Sequence, residues 1–90
     1  MRLDVYLKKC CLVKQRSEAK KACDNGIVQV DGLPSKAGRL LHVGQQVVIA
    51  FTDRLLEIEV LSLPLGNVSK REASNYYRVI RDEMLESEFF

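Results

Sequence analysis

Between Ala19 and Gly32 the apolar residues change their period. Ala19, Ala22 and Cys23 stand at helical spacing, Asn25-Gly26 interrupts them, and Val28 and Val30 then alternate around Gln29 up to Asp31-Gly32. Spacing of three and four marks one face of a helix, whereas spacing of two marks a half-buried strand. Glycine closes the helix because it takes left-handed backbone geometry at no steric cost. Asp-Gly after an alternating run is a hairpin-turn signal. A helix leading at once into a β-hairpin requires a mixed α+β fold.

The same reasoning extends both ways. Leu3, Tyr6, Leu7 and Cys10 form the stripe of a first helix, and Arg2 and Lys9, seven apart, fall on one side beside it. Cys11–Gln15 is a tight connection. The second helix runs from about Arg16 or Ser17 to Asp24, with Arg16 and Lys20 on one side. The hairpin returns through Leu33–Ala37, where Pro34 marks an edge position. The segment from Gly38 to Gly44 is a loop whose Leu40, Leu41 and Val43 are expected to cap the core. Two strands follow, Gln46–Thr52 with Val47, Ile49 and Phe51 inward, and Leu55–Leu63 with Leu56, Ile58 and Val60 inward. Glu57 and Glu59 then give the sheet one wet, acidic side. After Pro64-Leu65-Gly66, the sequence Ser69-Lys70-Arg71-Glu72 is a capping box that starts a C-terminal helix. Ala73, Tyr76, Tyr77 and Ile80 are expected inside it, although Tyr77–Ile80 also suits a strand. Asp82, Glu83, Glu86 and Glu88 are read as a frayed acidic tail.

The fold class is therefore α+β: two short N-terminal helices, a β-hairpin, a small mostly antiparallel sheet and a C-terminal helix. Ninety residues suit one core. No apolar run approaches the roughly 18 residues that span a bilayer, and the chain opens with charge rather than a signal peptide. The expected location is the cytoplasm. Three cysteines, Cys10, Cys11 and Cys23, form neither a disulfide framework nor a zinc motif. Cys10 and Cys23 sit on apolar stripes and read as buried small hydrophobes.

The net charge of +2 divides unevenly. Residues 1–44 carry nine Lys and Arg against four acids, or +5; residues 45–90 carry five against eight, or −3. A basic half joined to an acidic half points to one polyanion-binding face. Guanidinium groups give planar paired hydrogen bonds to phosphate, and lysine adds a mobile point charge. No aromatic platform for stacking single strands is evident, because Tyr6 lies on an inward stripe and Tyr76-Tyr77 read as core and rim. The expected target is folded RNA, recognised by shape and backbone. His42 has no acid–base partner nearby in sequence, and Ser17 and Ser69 are cap residues, so no catalytic group, metal or cofactor is expected.

Three elements in order then resemble a known family: Arg2-Leu3-Asp4; Lys14-Gln15-Arg16-Ser17-Glu18-Ala19; and Gly26 through Gly32. With Ser35-Lys36-Ala37 and Val43-Gly44-Gln45-Gln46-Val47, they are similar to the RNA-binding domain named for ribosomal small-subunit protein four. Lys70-Arg71-Glu72-Ala73-Ser74-Asn75-Tyr76-Tyr77 looks like the RqcP-type stand-alone proteins, relatives of the ribosome-associated heat-shock factor. The acidic end with Phe89-Phe90 also favours that branch over the Lys/Arg-rich extension of the heat-shock relatives.

The resemblance implies a non-catalytic monomer in ribosome-associated quality control. Its partners would be large-subunit ribosomal RNA, peptidyl-tRNA and a NEMF-type factor (RqcH in bacteria) that adds a C-terminal alanine tail to the stalled chain. The alternative is heat-shock-type subunit recycling or ribosome assembly. An RNA-modifying enzyme and a protein-interaction domain using the acidic sheet face are the competing classes. Residues 1–66 would form the RNA-binding domain, with 67–90 packed on it. Arg2, Arg16, Lys14, Lys20 and Lys36 match the family's basic positions, and Asp4 matches its acid, either orienting Arg2 or touching RNA. Lys9 and Arg39 join the candidates on charge. Cys11 stands where relatives often have arginine, with Lys8 or Lys9 as substitutes. Gln45 replaces a frequent aspartate, and Asp31 an asparagine.

Overall fold

The computed structural model describes residues 1–85, so Glu86, Glu88 and Phe89-Phe90 lie outside the described residues. Two helices, α1 (Leu3–Lys9) and α2 (Arg16–Asp24), precede a five-stranded sheet. The strands are β1 (Val28–Val30), β2 (Leu33–Pro34), β3 (Gln46–Ala50), β4 (Arg54–Val60) and β5 (Tyr77–Met84). Their order is β2-β1-β3-β4-β5, and every pairing is antiparallel.

A seven-residue helix is too short to persist alone, so burial must hold α1 in place. Leu3, Tyr6, Leu7 and Cys10 are all buried, and each fully buried large apolar side chain contributes roughly 1.5–3 kcal/mol. They meet Ala19 and Cys23 of α2 and the inward row of the sheet: Val28, Val30, Val47, Ile49, Leu56, Ile58 and Val60. Phe51 packs at the margin of this core.

Both helices end in the same way. Leu12 N–H donates to Leu7 O and Cys11 N–H to Lys8 O; in α2, Ile27 N–H donates to Ala22 O and Gly26 N–H to Cys23 O. This paired closure needs a left-handed residue. Gly26 supplies it at φ +72°, but in α1 the position falls to Cys11 at φ +59°, where the Cβ makes the conformation costly. At the hairpin, Asp31 (φ +50°) and Gly32 (φ +83°) are both left-handed, which matches the strand twist. The two unusual residues noted there are partners: Gln45 Nε2 donates to Asp31 Oδ2 at 3.1 Å, while Gln46 N–H donates to Oδ1 at 3.0 Å.

The structure departs from the sequence expectations at five places. Leu40 and Val43 are exposed and only Leu41 caps the core, because a loop has no periodicity to aim its side chains. The third helix, α3 (Lys70–Ala73), lasts one turn and passes through a 3-10 turn at Ser74–Tyr76 into β5. Residues 77–81 are therefore strand, Asp82 and Glu83 belong to it, and Ile80 is 39% exposed rather than inward. In the capping box Ser69 Oγ accepts from Glu72 N–H as expected, but the glutamate carboxylate meets the serine hydroxyl, not its amide. Finally, the outer sheet face is not an acidic surface. Glu59 pairs with Arg78 and Glu57 with Arg81 across the β4–β5 ladder.

Candidate nucleic-acid interface

The site is organised at the start of α1. Loop residues 37–41 lie against the chain terminus: Leu3 N–H donates to Arg39 O at 2.8 Å, Asp4 N–H to Ala37 O at 3.1 Å, and Leu41 N–H to Met1 O at 2.8 Å. Arg2 pairs with Leu40 in a single bridge. That docking buries Asp4, which is 1% exposed. A carboxylate so enclosed must be fully partnered, and it is. Oδ1 accepts from Arg2 Nε at 3.1 Å and from Val5 N–H at 2.9 Å; Oδ2 accepts from Arg2 Nη2 at 3.2 Å and Arg16 Nε at 3.0 Å.

Burial works against ionisation of Asp4, but the hydrogen bonds from Arg2 and Arg16 outweigh it. The carboxyl is held below the ordinary aspartate range. One negative charge thus fixes two guanidinium groups. Their side chains remain 46% and 56% exposed, so each keeps N–H donors facing solvent. Lys20 and Ser17 complete an open depression around the pair, and a Cβ added to Gly38 would stand 3.8 Å from the Arg2 guanidinium.

The other candidates are distributed around this centre. Lys14 is exposed and borders Lys8, Cys11, Val13 and Lys70. Lys9 and Arg2 are not neighbours in use: the Lys9 amine donates to Gly66 O at 3.0 Å, pinning α1 to the connection between β4 and β5. Lys8 is the exposed cation at the end of α1. Arg39 Nη1 reaches Ser35 Oγ at 3.3 Å, and its carbonyl caps α1. Lys36 belongs to a separate depression with Asp24 and Gly26, at the far end of α2, a helix about 12–14 Å long. The structure therefore brings together Arg2, Asp4, Arg16 and Lys20, places Lys9 and Lys14 beside them, and leaves Lys36 apart.

Lys70 stands in the sequence only as part of a helix cap and of the Lys70–Tyr77 resemblance, with nothing local to mark it as a cation beside the site. Its neighbourhood to Lys8 and Lys14 depends on the chain returning across the sheet. Among the described residues no cluster of His, Cys, Asp or Glu could hold a metal ion, and no helix is long and apolar enough to cross a membrane.

The S4 domain family model matches residues 1–47, the stretch containing both helices, the hairpin and the Asp4 cluster. The chain is 39% identical over 83 residues to the RQC P-site tRNA stabilizing factor of Halalkalibacterium halodurans, covering 92% of this chain and 93% of that protein. It is 33% identical over 85 residues to the protein of the same name from Bacillus subtilis, covering 94% and 98%. In backbone it is similar to the trimeric structure of heat shock protein 15 of Vibrio cholerae, with a TM-score of 0.81 and 25% identity over 88% of this chain and 80% of that one.

Proposed function

The chain belongs to the S4 domain family and, within it, to the RQC P-site tRNA stabilizing factors, and from that membership we propose a non-catalytic RNA-binding role in ribosome-associated quality control. In this reading it grips large-subunit ribosomal RNA and peptidyl-tRNA together. A NEMF-type, RqcH-like partner then extends the stalled nascent chain with C-terminal alanines. The observation that carries the reading is the pair of half-exposed arginines fixed on one buried carboxylate.

Fixing matters because phosphate recognition by arginine depends on a planar, oriented fork. A guanidinium already held on Asp4 has less freedom to lose when it meets a phosphate. Arg2, Arg16 and Lys20 act as phosphate contacts, with Lys14 beside them, while Asp4 works by positioning rather than by touching RNA. Lys9 serves mainly to fasten α1, and Lys36 and Arg39 flank the site. Residues 1–66 form the RNA-binding unit, and 67–85 pack on it as part of one domain.

The test uses purified large subunits carrying peptidyl-tRNA. Arg16→Glu abolishes co-sedimentation while the circular dichroism spectrum is unchanged; unaltered binding refutes the assigned surface. Wild-type binding weakens steeply with salt as phosphate contacts release counterions. A second reading, heat-shock-type subunit recycling or assembly, draws on the backbone likeness to heat shock protein 15. It requires that alanine tailing persist in a strain lacking this protein.

A further inference from the structure

On the other side of Arg16 from Lys20 lies a groove that the arginine cluster does not explain. One wall is the outer side of α1, with Val5 and Lys8, and the other is the segment Asn67–Val68, in the connection between β4 and β5. The Lys9 amine on Gly66 O holds the two walls together. Beyond Lys8 the depression continues between Lys14 and Lys70. Val5, Cys11, Val13 and Val68 line it between these cations.

The electrostatics differ from those of the first site. Around Asp4, two arginines share one carboxylate. The groove has no Asp or Glu among its lining residues, and among the described residues Lys8, Lys14 and Lys70 make no ion pair. Their charge is therefore uncompensated and spread along the rim instead of converging on one point. A single small anion needs convergent donors, whereas a backbone of regularly spaced phosphates suits a row of mobile ammonium groups. Asn67, Val68 and Lys70, which form one side of the groove, also lie outside residues 1–47, the extent of the S4 match.

We infer that the groove between α1 and residues 66–70, rimmed by Lys8, Lys14 and Lys70, is a second seat for an RNA phosphodiester backbone, separate from the Arg2–Asp4–Arg16 cluster. The inference rests on the RNA-binding reading and extends it to a second strand, with Arg16 at the border of both seats.

The test measures binding of the full chain to two probes, a short A-form RNA hairpin and deacylated tRNA, across a salt series. Each phosphate contact contributes about 0.7–0.9 to the slope of log affinity against log salt. Replacing the three rim lysines together (Lys8→Gln, Lys14→Gln, Lys70→Gln) lowers the slope for at least one probe by about two and weakens binding at least tenfold. The corresponding triple lysine-to-arginine variant keeps the wild-type slope. The probe that loses affinity identifies the kind of strand seated there. If Arg16→Gln weakens binding but the triple glutamine variant keeps wild-type slope and affinity for both probes, the second seat is refuted and the first stands. If the triple variant loses only an acidic protein partner, the groove is a protein dock and the inference is overturned. If wild-type protein binds neither probe nor large subunits, the functional reading itself falls.

Discussion

Arg16 Nε lies 3.0 Å from Asp4 Oδ2, joining the first turn of α2 to the first turn of α1 through a carboxylate that solvent does not reach. Twelve residues separate the two in sequence, and the Leu12–Leu7 and Cys11–Lys8 closure brings them together. The pair separates two accounts of the basic surface. If net charge alone governs RNA binding, removing Asp4's charge strengthens it; if orientation governs, binding weakens.

Asp4→Asn is therefore the most informative substitution. It makes the chain one unit more positive, yet affinity for large subunits is expected to fall by about tenfold, because both forks lose their anchor. Stability falls by roughly 1–3 kcal/mol, the usual cost of disrupting a buried hydrogen-bonded charge, discounted from the fully buried case because both arginines are half exposed. Urea unfolding and a binding isotherm on the same sample check both.

Acid titration gives an independent measure of the same pair. Asp4's carboxyl is lower in the folded protein than in the unfolded chain. Its stabilisation is complete above the ordinary aspartate value of about 3.9 and is lost as pH falls through the folded value. Wild-type stability should fall below pH ~4 more steeply than that of Asp4→Asn. Parallel curves would show that the arginine hydrogen bonds contribute nothing.

The three thiols should separate by reactivity. Burial pushes Cys10 and Cys23 up to about 11, whereas Cys11 is exposed. Iodoacetamide at neutral pH is expected to label Cys11 alone in native protein and all three in urea, read by intact mass. Because the two buried thiols are raised, their protonated form stabilises the fold fully below the free-thiol value of about 8.5. That contribution is lost as pH climbs through about 11.

Tyr6 links α1 to the turn that leads into β5. Its hydroxyl donates to Tyr76 O at 2.7 Å, a carbonyl that also accepts from Leu61 and Ser62 N–H. Tyr6→Phe removes one of three donors, so the cost should be about 0.5–1.5 kcal/mol. Hydrogen exchange should accelerate first in residues 74–79.

The outer sheet face supplies a control. Arg78→Glu places like charges opposite Glu59 and should cost about 0.5 kcal/mol, regained on adding Glu59→Arg. RNA affinity stays within about twofold, a small change because the face lies away from the cationic seats and exposed charges are screened within roughly 10 Å. A large loss of RNA binding would show that the interface extends onto the sheet.

Much of this arrangement was legible because it is local. The stripe Leu3, Tyr6, Leu7, Cys10 needs only helical geometry, and Asn25-Gly26 and Asp31-Gly32 announce their turns by residue type. Arg16 and Lys20 share a side through spacing alone. Asp4 was ambiguous for the opposite reason: its burial is created by loop 37–41, which carries no periodic signal. β5 was ambiguous because an edge strand exposed along nearly its whole length shows neither a helical nor an alternating stripe. The pairing of Glu57 and Glu59 with Arg81 and Arg78 could not be read until that strand was placed. Lys70 joins Lys8 and Lys14 only through the tertiary return of the chain.

The amides that open α1 have a consequence for how such a surface can evolve. Leu3, Asp4 and Val5 N–H are all committed, to Arg39 O, Ala37 O and Asp4 Oδ1. Elsewhere such free amides, with the positive end of the helix dipole, form a ready anion pocket built into the backbone. Here that pocket is closed from within, so attraction for nucleic acid falls to replaceable side chains. Selection can consequently raise or lower the grip by single codon changes, leaving the scaffold beneath untouched.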